Sequence, residues 1–190
     1  MRIQVGGSSE HLPGWINTDI NGLAEYYLDA VRPWPIRDGG VGYVYADNFI
    51  EHLTLPSARA FLSHARRALA PGGRIRLVTP DVETTARLYL EGGPETDAAM
   101  NRHRLHGYAI AHPVDLLRVV YAESGHWRGY MFDESSLRAE MSEAGFADVT
   151  RCHVGESTDP ALRGLEKRTE PIEDKLQLVL EGRVPSHAGS

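Results

Sequence analysis

What constrains this chain most is a change of period. Up to residue 46 the apolar residues come in short runs, each stopped by glycine, proline or polar turn residues: 2–5, 15–20, 25–30 and 41–46. Runs of this kind are the form of strands buried on both faces. From Pro56 the period becomes helical, with Phe61, Leu62, Ala65 and Leu69 on one stripe and Arg59, Arg66 and Arg67 off it. Pro56 suits a first helical turn, and Pro71-Gly72-Gly73 ends the helix. Residues 74–79 predict a fifth strand, stopped by Pro80. Residues 133–144 predict a second helix, with Asp133 as its N-cap and Gly145 as its stop. Residues 147–154 and 175–181 predict the sixth and seventh strands; in the last, Leu176, Leu178 and Leu180 stand against polar Gln177 and Glu181.

Strands joined by helices imply an α/β fold with a largely parallel sheet. Residues 83–130 fit the sheet poorly and read as short helices near 84–90, 96–105 and 113–122. They form an insertion over the strand ends that carries His103, His106, His112, His126 and Arg128. The expectation is one domain over residues 1–182, with residues 183–190 as a flexible tail. With 42% hydrophobic and 24% charged residues, the composition excludes a disordered or fibrous chain. The lone Cys152 excludes an intramolecular disulfide and a cysteine-only zinc site. Acids exceed bases, 26 to 20, which argues against a duplex nucleic acid partner. No apolar run nears the ~18 residues of a membrane helix, and the first residues lack a signal-peptide apolar stretch. A cytoplasmic protein with no membrane partner is expected.

In an open α/β sheet, ligands sit outside the carboxyl ends of the strands. Gly6, Gly7 and Ser8 follow the first strand, Asp19 and Ile20 close the second, Asp29 ends the third, and Asn48 to His52 follow the fourth. Glycines let a ligand approach the backbone, and an acid accepts hydrogen bonds from ribose hydroxyls. Singly, each signal has a plainer reading as a turn, a cap or a surface histidine. Their shared edge and order raise them above it. G-x-G-x-x-G is absent, which argues against a nicotinamide-dependent oxidoreductase, and no phosphate-cradling G-x-x-x-x-G-K-[ST] occurs.

Phe49-Ile50-Glu51-His52-Leu53, then Arg66-Arg67-Ala68-Leu69-Ala70-Pro71-Gly72-Gly73-Arg74-Ile75, resembles the class I S-adenosylmethionine-dependent methyltransferases. More narrowly the chain is similar to a small group of predicted methyltransferases linked to surface-polysaccharide or natural-product pathways. Its signatures are Leu12-Pro13-Gly14-Trp15-Ile16-Asn17-Thr18-Asp19-Ile20, Pro80-Asp81, Gly125-His126 leading to Tyr130-Met131-Phe132-Asp133, and Ala144-Gly145-Phe146. The resemblance runs to about residue 166. It implies a Rossmann-like seven-stranded, mostly parallel sheet with S-adenosylmethionine as cofactor. Gly6, Gly7 and Ser8 would face its methionine part, Asp19 with Ile20 its ribose, Asp29 its adenine, and Asn48 its sulfur. The sequence departs from the family where Ser8 replaces the second glycine of G-x-G. It departs again where only residues 8–14 join the first two strands, too few for the usual helix. The N-terminal helices are therefore expected to be reduced, which implies either weak cofactor binding or a site that a second copy of the chain, in a homodimer, would close.

The implied reaction is methyl transfer to oxygen or nitrogen of a polar small molecule, such as a sugar, an aminosugar or a natural-product intermediate. His52 and His126 are the candidate bases, having the right unperturbed pKa; the plainer readings are a helix cap and a packed loop histidine. Trp127 and Tyr130 would line an acceptor pocket or the core, and Tyr89, Tyr108, Arg104 and Arg128 would suit a polar acceptor. His103, His106 and His112, with Asp97 and Asp115 nearby, raise a metal option, but without H-E-x-x-H no metal is expected. The alternative is a non-catalytic partner protein that keeps the fold.

Overall fold

The computed structural model describes residues 1–123, 125–168 and 170–186. Its centre is one seven-stranded sheet: β1 (Arg2–Val5), β2 (Ile16–Asp19), β3 (Tyr26–Tyr27), β4 (Val41–Asp47), β5 (Leu69–Pro80), β6 (Ala147–Cys152) and β7 (Gln177–Arg183). The order across the sheet is β3-β2-β1-β4-β5-β7-β6. The pairs from β3 to β5 are parallel, and β7 runs antiparallel to both β5 and β6. β1 and β4 are neighbours although β2 and β3 intervene in sequence, so the strand order reverses at β1. Ligand crevices form at such a switch point.

Two helices cover one face. α1 (Leu55–Ala68) starts from Thr54, whose side chain accepts from the Ser57 backbone, and has Pro56 in its first turn. It buries Phe61, Leu62 and Ala65 against Ile3, Val44 and Ile75. Leu137 and Met141 of α5 (Glu134–Glu143) join the same core. Asp133 caps α5 as expected, in a capping box with Ser136.

The other face, read by the strand period of two, carries Tyr43, Tyr45, Val78 and Val179. Trp15, Leu12, Leu162 and Leu165 lie over them instead of a helix, with Trp15 ring centroids 6.5 and 6.1 Å from Tyr43 and Tyr45. Residues 6–15, which join β1 to β2, contain no helix. Asn17 holds this connection from within: its Oδ1 accepts from Leu12 N at 2.8 Å, and its Nδ2 donates to Trp15 O and Glu25 Oε2.

The same face hides a polar network. Arg76 is wholly buried on β5, donating to Glu166 through Nε and Nη2, both at 2.8 Å, and to Glu181 at 2.5 Å. Its remaining donors reach the carbonyls of Glu156 and His153. Glu181 is therefore buried, and Gln177, outside this network, is buried as well, against the polar-outward alternation expected of the last strand.

Residues 82–122 supply the insertion as α2 (Val82–Glu91), α3 (Pro94–Leu105) and α4 (Val114–Ala122). With α6 (Pro171–Leu176) they form a small core of Leu88, Met100, Leu116, Val119 and Leu176 beside the strand ends.

Several boundaries differ from expectation. β3 is two residues long with both tyrosines exposed, since Leu28 and Ala30 reach the core from irregular backbone. Pro71-Gly72-Gly73 does not separate helix from strand. β5 already pairs at Leu69 and resumes at Arg74, with a register shift between, so the three residues form a bulge. Lys175 and Leu176 belong to the end of α6, and β7 opens only at Gln177. The start of the expected tail is not free: Arg183 belongs to β7, and Val184 is buried and exchanges backbone hydrogen bonds with Gly72 and Gly73. Residues 187–190 lie outside the described residues.

Candidate active site

Three cavities run in series along the carboxyl ends of the parallel strands. The first, about 500 Å³, is lined by Gly6, Asp19, Ile20, Leu28, Asp29 and Phe49, among others. The second, about 430 Å³, has Gln4, Gly6, Gly7, Ser8, Asn48 and Arg168 in its walls. The third, about 140 Å³, is bounded by Asn48, His52, His103, Tyr108, His126 and Gln177. Gly6 is common to the first two and Asn48 to the last two. The predicted cofactor residues are thus brought together in one crevice, with both predicted catalytic histidines at its far end.

The first loop is built around Asp19. Gly6 N and Gly7 N both donate to Thr18 O, tying the turn to β2. Ser8 N donates to Asp19 Oδ2 at 3.0 Å and Asn21 N to Oδ1 at 3.1 Å. Each carboxylate oxygen keeps acceptor capacity toward the cavity. Ser8 stands at φ +46°, the left-handed backbone that glycine would take without strain. Serine is accommodated here by that bond to Asp19 and by Asn21 Nδ2, which donates to Ser8 Oγ at 3.2 Å. Gly6, at φ +71°, is required by a different neighbour: a Cβ there would stand 2.3 Å from Phe49 Cδ2.

These walls fit a nucleoside bearing a charged amino acid. Ile20, Leu28 and Phe49 offer apolar surface beside the carboxylates of Asp19 and Asp29. Asp29 accepts from Val31 N at 3.1 Å. In the second cavity Gln4 Oε1 is buried without a hydrogen-bond partner, an acceptor ready for an ammonium group. Basic side chains unforeseen in the sequence, Arg102, Lys167 and Arg168, stand around it. Arg168 is fixed across both oxygens of Asp47, at 2.5 and 2.8 Å, and so braces the end of β4 beside Asn48. They come from the insertion and from the segment before α6, and their only sequence signal is charge without spacing.

Asn48 takes φ +46°, uncommon for non-glycine residues but favoured by asparagine. A short 3-10 turn (Ile50–His52) follows, and it presents Glu51 inward and His52 outward. The segment carrying His126 docks on this turn. Tyr130 N donates to Leu53 O at 2.8 Å, and a Cβ on Gly129 would fall 1.6 Å from Glu51 O, so only glycine allows the approach. The rings of His52 and His126 meet edge to face at 4.7 Å. Burial lowers the His52 pKa, as does its neighbour His126. Burial pushes Glu51 up to about 8, against the Thr79 hydroxyl that donates to its Oε2 at 3.0 Å. His103 is driven down to about 4 by burial and by nearby Arg102, so its ring is neutral at pH 7. Its Nδ1, and Gln177 Oε1, are buried in the third cavity without hydrogen-bond partners.

Other candidates fall elsewhere. Trp127 is exposed under the Arg128 guanidinium, and Tyr130 packs on Phe132; neither lines any of these three cavities. Tyr89 is exposed, and Arg104 is turned to Ile110 O. Tyr108 lines the third cavity. Asp115, in the first turn of α4, accepts from Ala111 N and His112 N through Oδ2 and from Arg118 Nε through Oδ1.

No protein-family model matches the sequence, and no curated protein matches it. Solved structures do. Over 96% of this chain and 81% of its own, a Thermotoga maritima S-adenosylmethionine-dependent methyltransferase, described as a possible histamine N-methyltransferase, superposes with TM-score 0.61 at 13% identity. The CurJ carbon methyltransferase matches 97% of this chain with TM-score 0.57 at 17% identity. This chain spans about half of CurJ, 48% of its length. Haemonchus contortus phosphoethanolamine N-methyltransferase 2, solved with S-adenosylhomocysteine, matches 97% of this chain and 48% of its own with TM-score 0.52 at 14% identity. The fold is therefore the one shared by class I S-adenosylmethionine-dependent methyltransferases, with the seven-stranded sheet expected from the sequence.

Proposed function

We propose that this protein transfers a methyl group from S-adenosylmethionine to an oxygen or nitrogen atom of a polar small molecule. The observation that carries the reading is the continuity of the crevice, from Asp19 past Gly6 and Asn48 to His52 and His126. Bound S-adenosylmethionine supplies an activated methyl group on a sulfonium centre. Asp19 accepts hydrogen bonds from ribose hydroxyls, Asp29 borders the base, and Gly6, Gly7 and Ser8 border the methionine part. Gln4 Oε1 takes the ammonium, and Lys167 its carboxylate, since the Arg102 guanidinium is held by Glu173. Asn48 stands between cofactor and acceptor.

The acceptor's reactive end enters the 140 Å³ cavity, where His103 Nδ1 and Gln177 Oε1 await partners. That volume takes only a few heavy atoms, so the rest of the acceptor lies outside. A hydroxyl acceptor gives its proton to His52, whose lowered pKa keeps the ring neutral near pH 7. Fixing acceptor and methyl in line and excluding water supply most of the acceleration. The sugar or natural-product setting belongs to this proposal, as do a cytoplasmic location and a homodimer in which a second copy covers the exposed Ile20, Tyr26 and Tyr27. No described helix is long and apolar enough to cross a membrane.

The test is product detection by mass spectrometry, with labelled S-adenosylmethionine and a panel of sugars, aminosugars and amines. Methylated product is expected, with turnover falling ~10²–10⁴-fold in His52→Ala. Cofactor binding without product from any acceptor would favour the non-catalytic partner reading instead.

A further inference from the structure

Glu51, His52 and His126 offer one ligand atom each, all within 4.8 Å of one another. Glu51 Oε1 is fully buried and has no hydrogen-bond partner. The atom facing it, His126 Nε2, stands 3.9 Å away, beyond hydrogen-bond distance. His126 Nδ1 lies 2.8 Å from Val120 O, and a carbonyl only accepts, so Nδ1 donates backward and Nε2 is the ring nitrogen turned to Glu51. A carboxyl oxygen and an imidazole nitrogen thus face each other across a gap that no hydrogen bond closes.

Each is also held from behind, His126 by Val120 O and Glu51 by Thr79 Oγ1. Backbone carbonyls and hydroxyls in these positions orient the ligands of metal ions. Two imidazoles and one carboxylate suit borderline first-row ions and not the all-oxygen preference of Mg²⁺ or Ca²⁺. An ion with bonds of about 2.1 Å holds its ligand atoms no more than about 4.2 Å apart. The Glu51–His126 pair already meets this, and the His52 ligand atom, at most 4.8 Å from the other two, needs to close by well under an ångström.

We infer that Glu51, His52 and His126 bind a divalent first-row transition-metal ion of the Zn²⁺ or Mn²⁺ class in the wall of the third cavity. Three protein ligands leave open positions, and His52 and His126 both line that cavity. An acceptor hydroxyl bound there would lose its proton more readily, and His52 would then serve as ligand rather than base. This use of the ion rests on the function proposed above; its binding does not.

The test is titration of chelator-stripped, full-length protein with Co²⁺, followed by visible absorption, and with Zn²⁺, followed by calorimetry. One ion per chain is expected, with a Co²⁺ d–d band. His52→Ala removes an exposed side chain and leaves the core closed; it should weaken binding about 100-fold, since losing an outer-shell partner alone costs roughly 10–100-fold. Glu51→Gln and His126→Ala should do the same with circular dichroism unchanged. Wild-type protein that takes up no stoichiometric ion, or His52→Ala that binds as tightly as wild type, would overturn the inference. S-adenosylhomocysteine affinity measured on the same samples separates the two claims: nucleoside binding without metal removes only this one, and metal binding without nucleoside removes only the methyl-transfer reading.

Discussion

An alanine at position 6 would combine two penalties: left-handed backbone, and a Cβ driven into the Phe49 ring. Together these cost about 2–5 kcal/mol, and the loop that lines the second cavity would shift. Gly6→Ala should therefore lower the thermal midpoint and weaken cofactor binding together; a normal midpoint would show that Phe49 yields freely. Asp19 makes the opposite case. Its backbone partners hold the loop, and it also lines the first cavity. Asp19→Ala should weaken S-adenosylhomocysteine binding by more than about tenfold, as expected for lost hydrogen bonds to a charged group; unchanged affinity by calorimetry would remove Asp19 from the site. These positions were legible in the sequence because glycine and aspartate after a strand carry their own chemistry. Glu51 was legible only as part of a helix start, because its partner His126 lies 75 residues on and is brought in by a close glycine contact at Gly129.

Periodicity located most elements, and it failed where tertiary contacts outweighed it. The Pro-Gly-Gly signal was read as a stop, yet its backbone is captured by Val184 and becomes a bulge within β5. Glu181 reads as a solvent-facing strand residue, yet Arg76 on the neighbouring strand draws it inside. Nothing local in the sequence distinguishes that arginine from a surface one. The network has a pH signature. Burial would raise the Glu166 pKa, but the hydrogen bonds and charge of Arg76 leave it below the usual range. A carboxylate depressed in the folded state contributes stability above its unfolded pKa of about 4.3 and loses it as pH falls through the folded value. Urea midpoints should be steady near neutrality and drop below about pH 4.5, and Glu166→Gln should shrink that drop while lowering the midpoint at pH 7. An acid limb unchanged in Glu166→Gln would place the sensitivity elsewhere.

At the scale of the molecule, the strand order and its reversal at β1 decide where chemistry happens. The helix usual between the first two strands is replaced by Trp15, Asn17 and the segment around Leu162, which cover the sheet without it. The cost falls at the β2–β3 edge, where Ile20, Tyr26 and Tyr27 are left exposed. The insertion helices instead close the other end, bringing His103 and Arg102 to the second and third cavities, beside residues that follow β1 and β4. The measurement that bears most directly on this arrangement is a crystal structure grown with excess S-adenosylhomocysteine. It should show the ribose on Asp19, the adenine beside Asp29 and Ile20, and the homocysteine passing Gly6 toward Gln4, with its sulfur near Asn48. An empty crevice at saturating ligand, or the nucleoside bound on another surface, would contradict it.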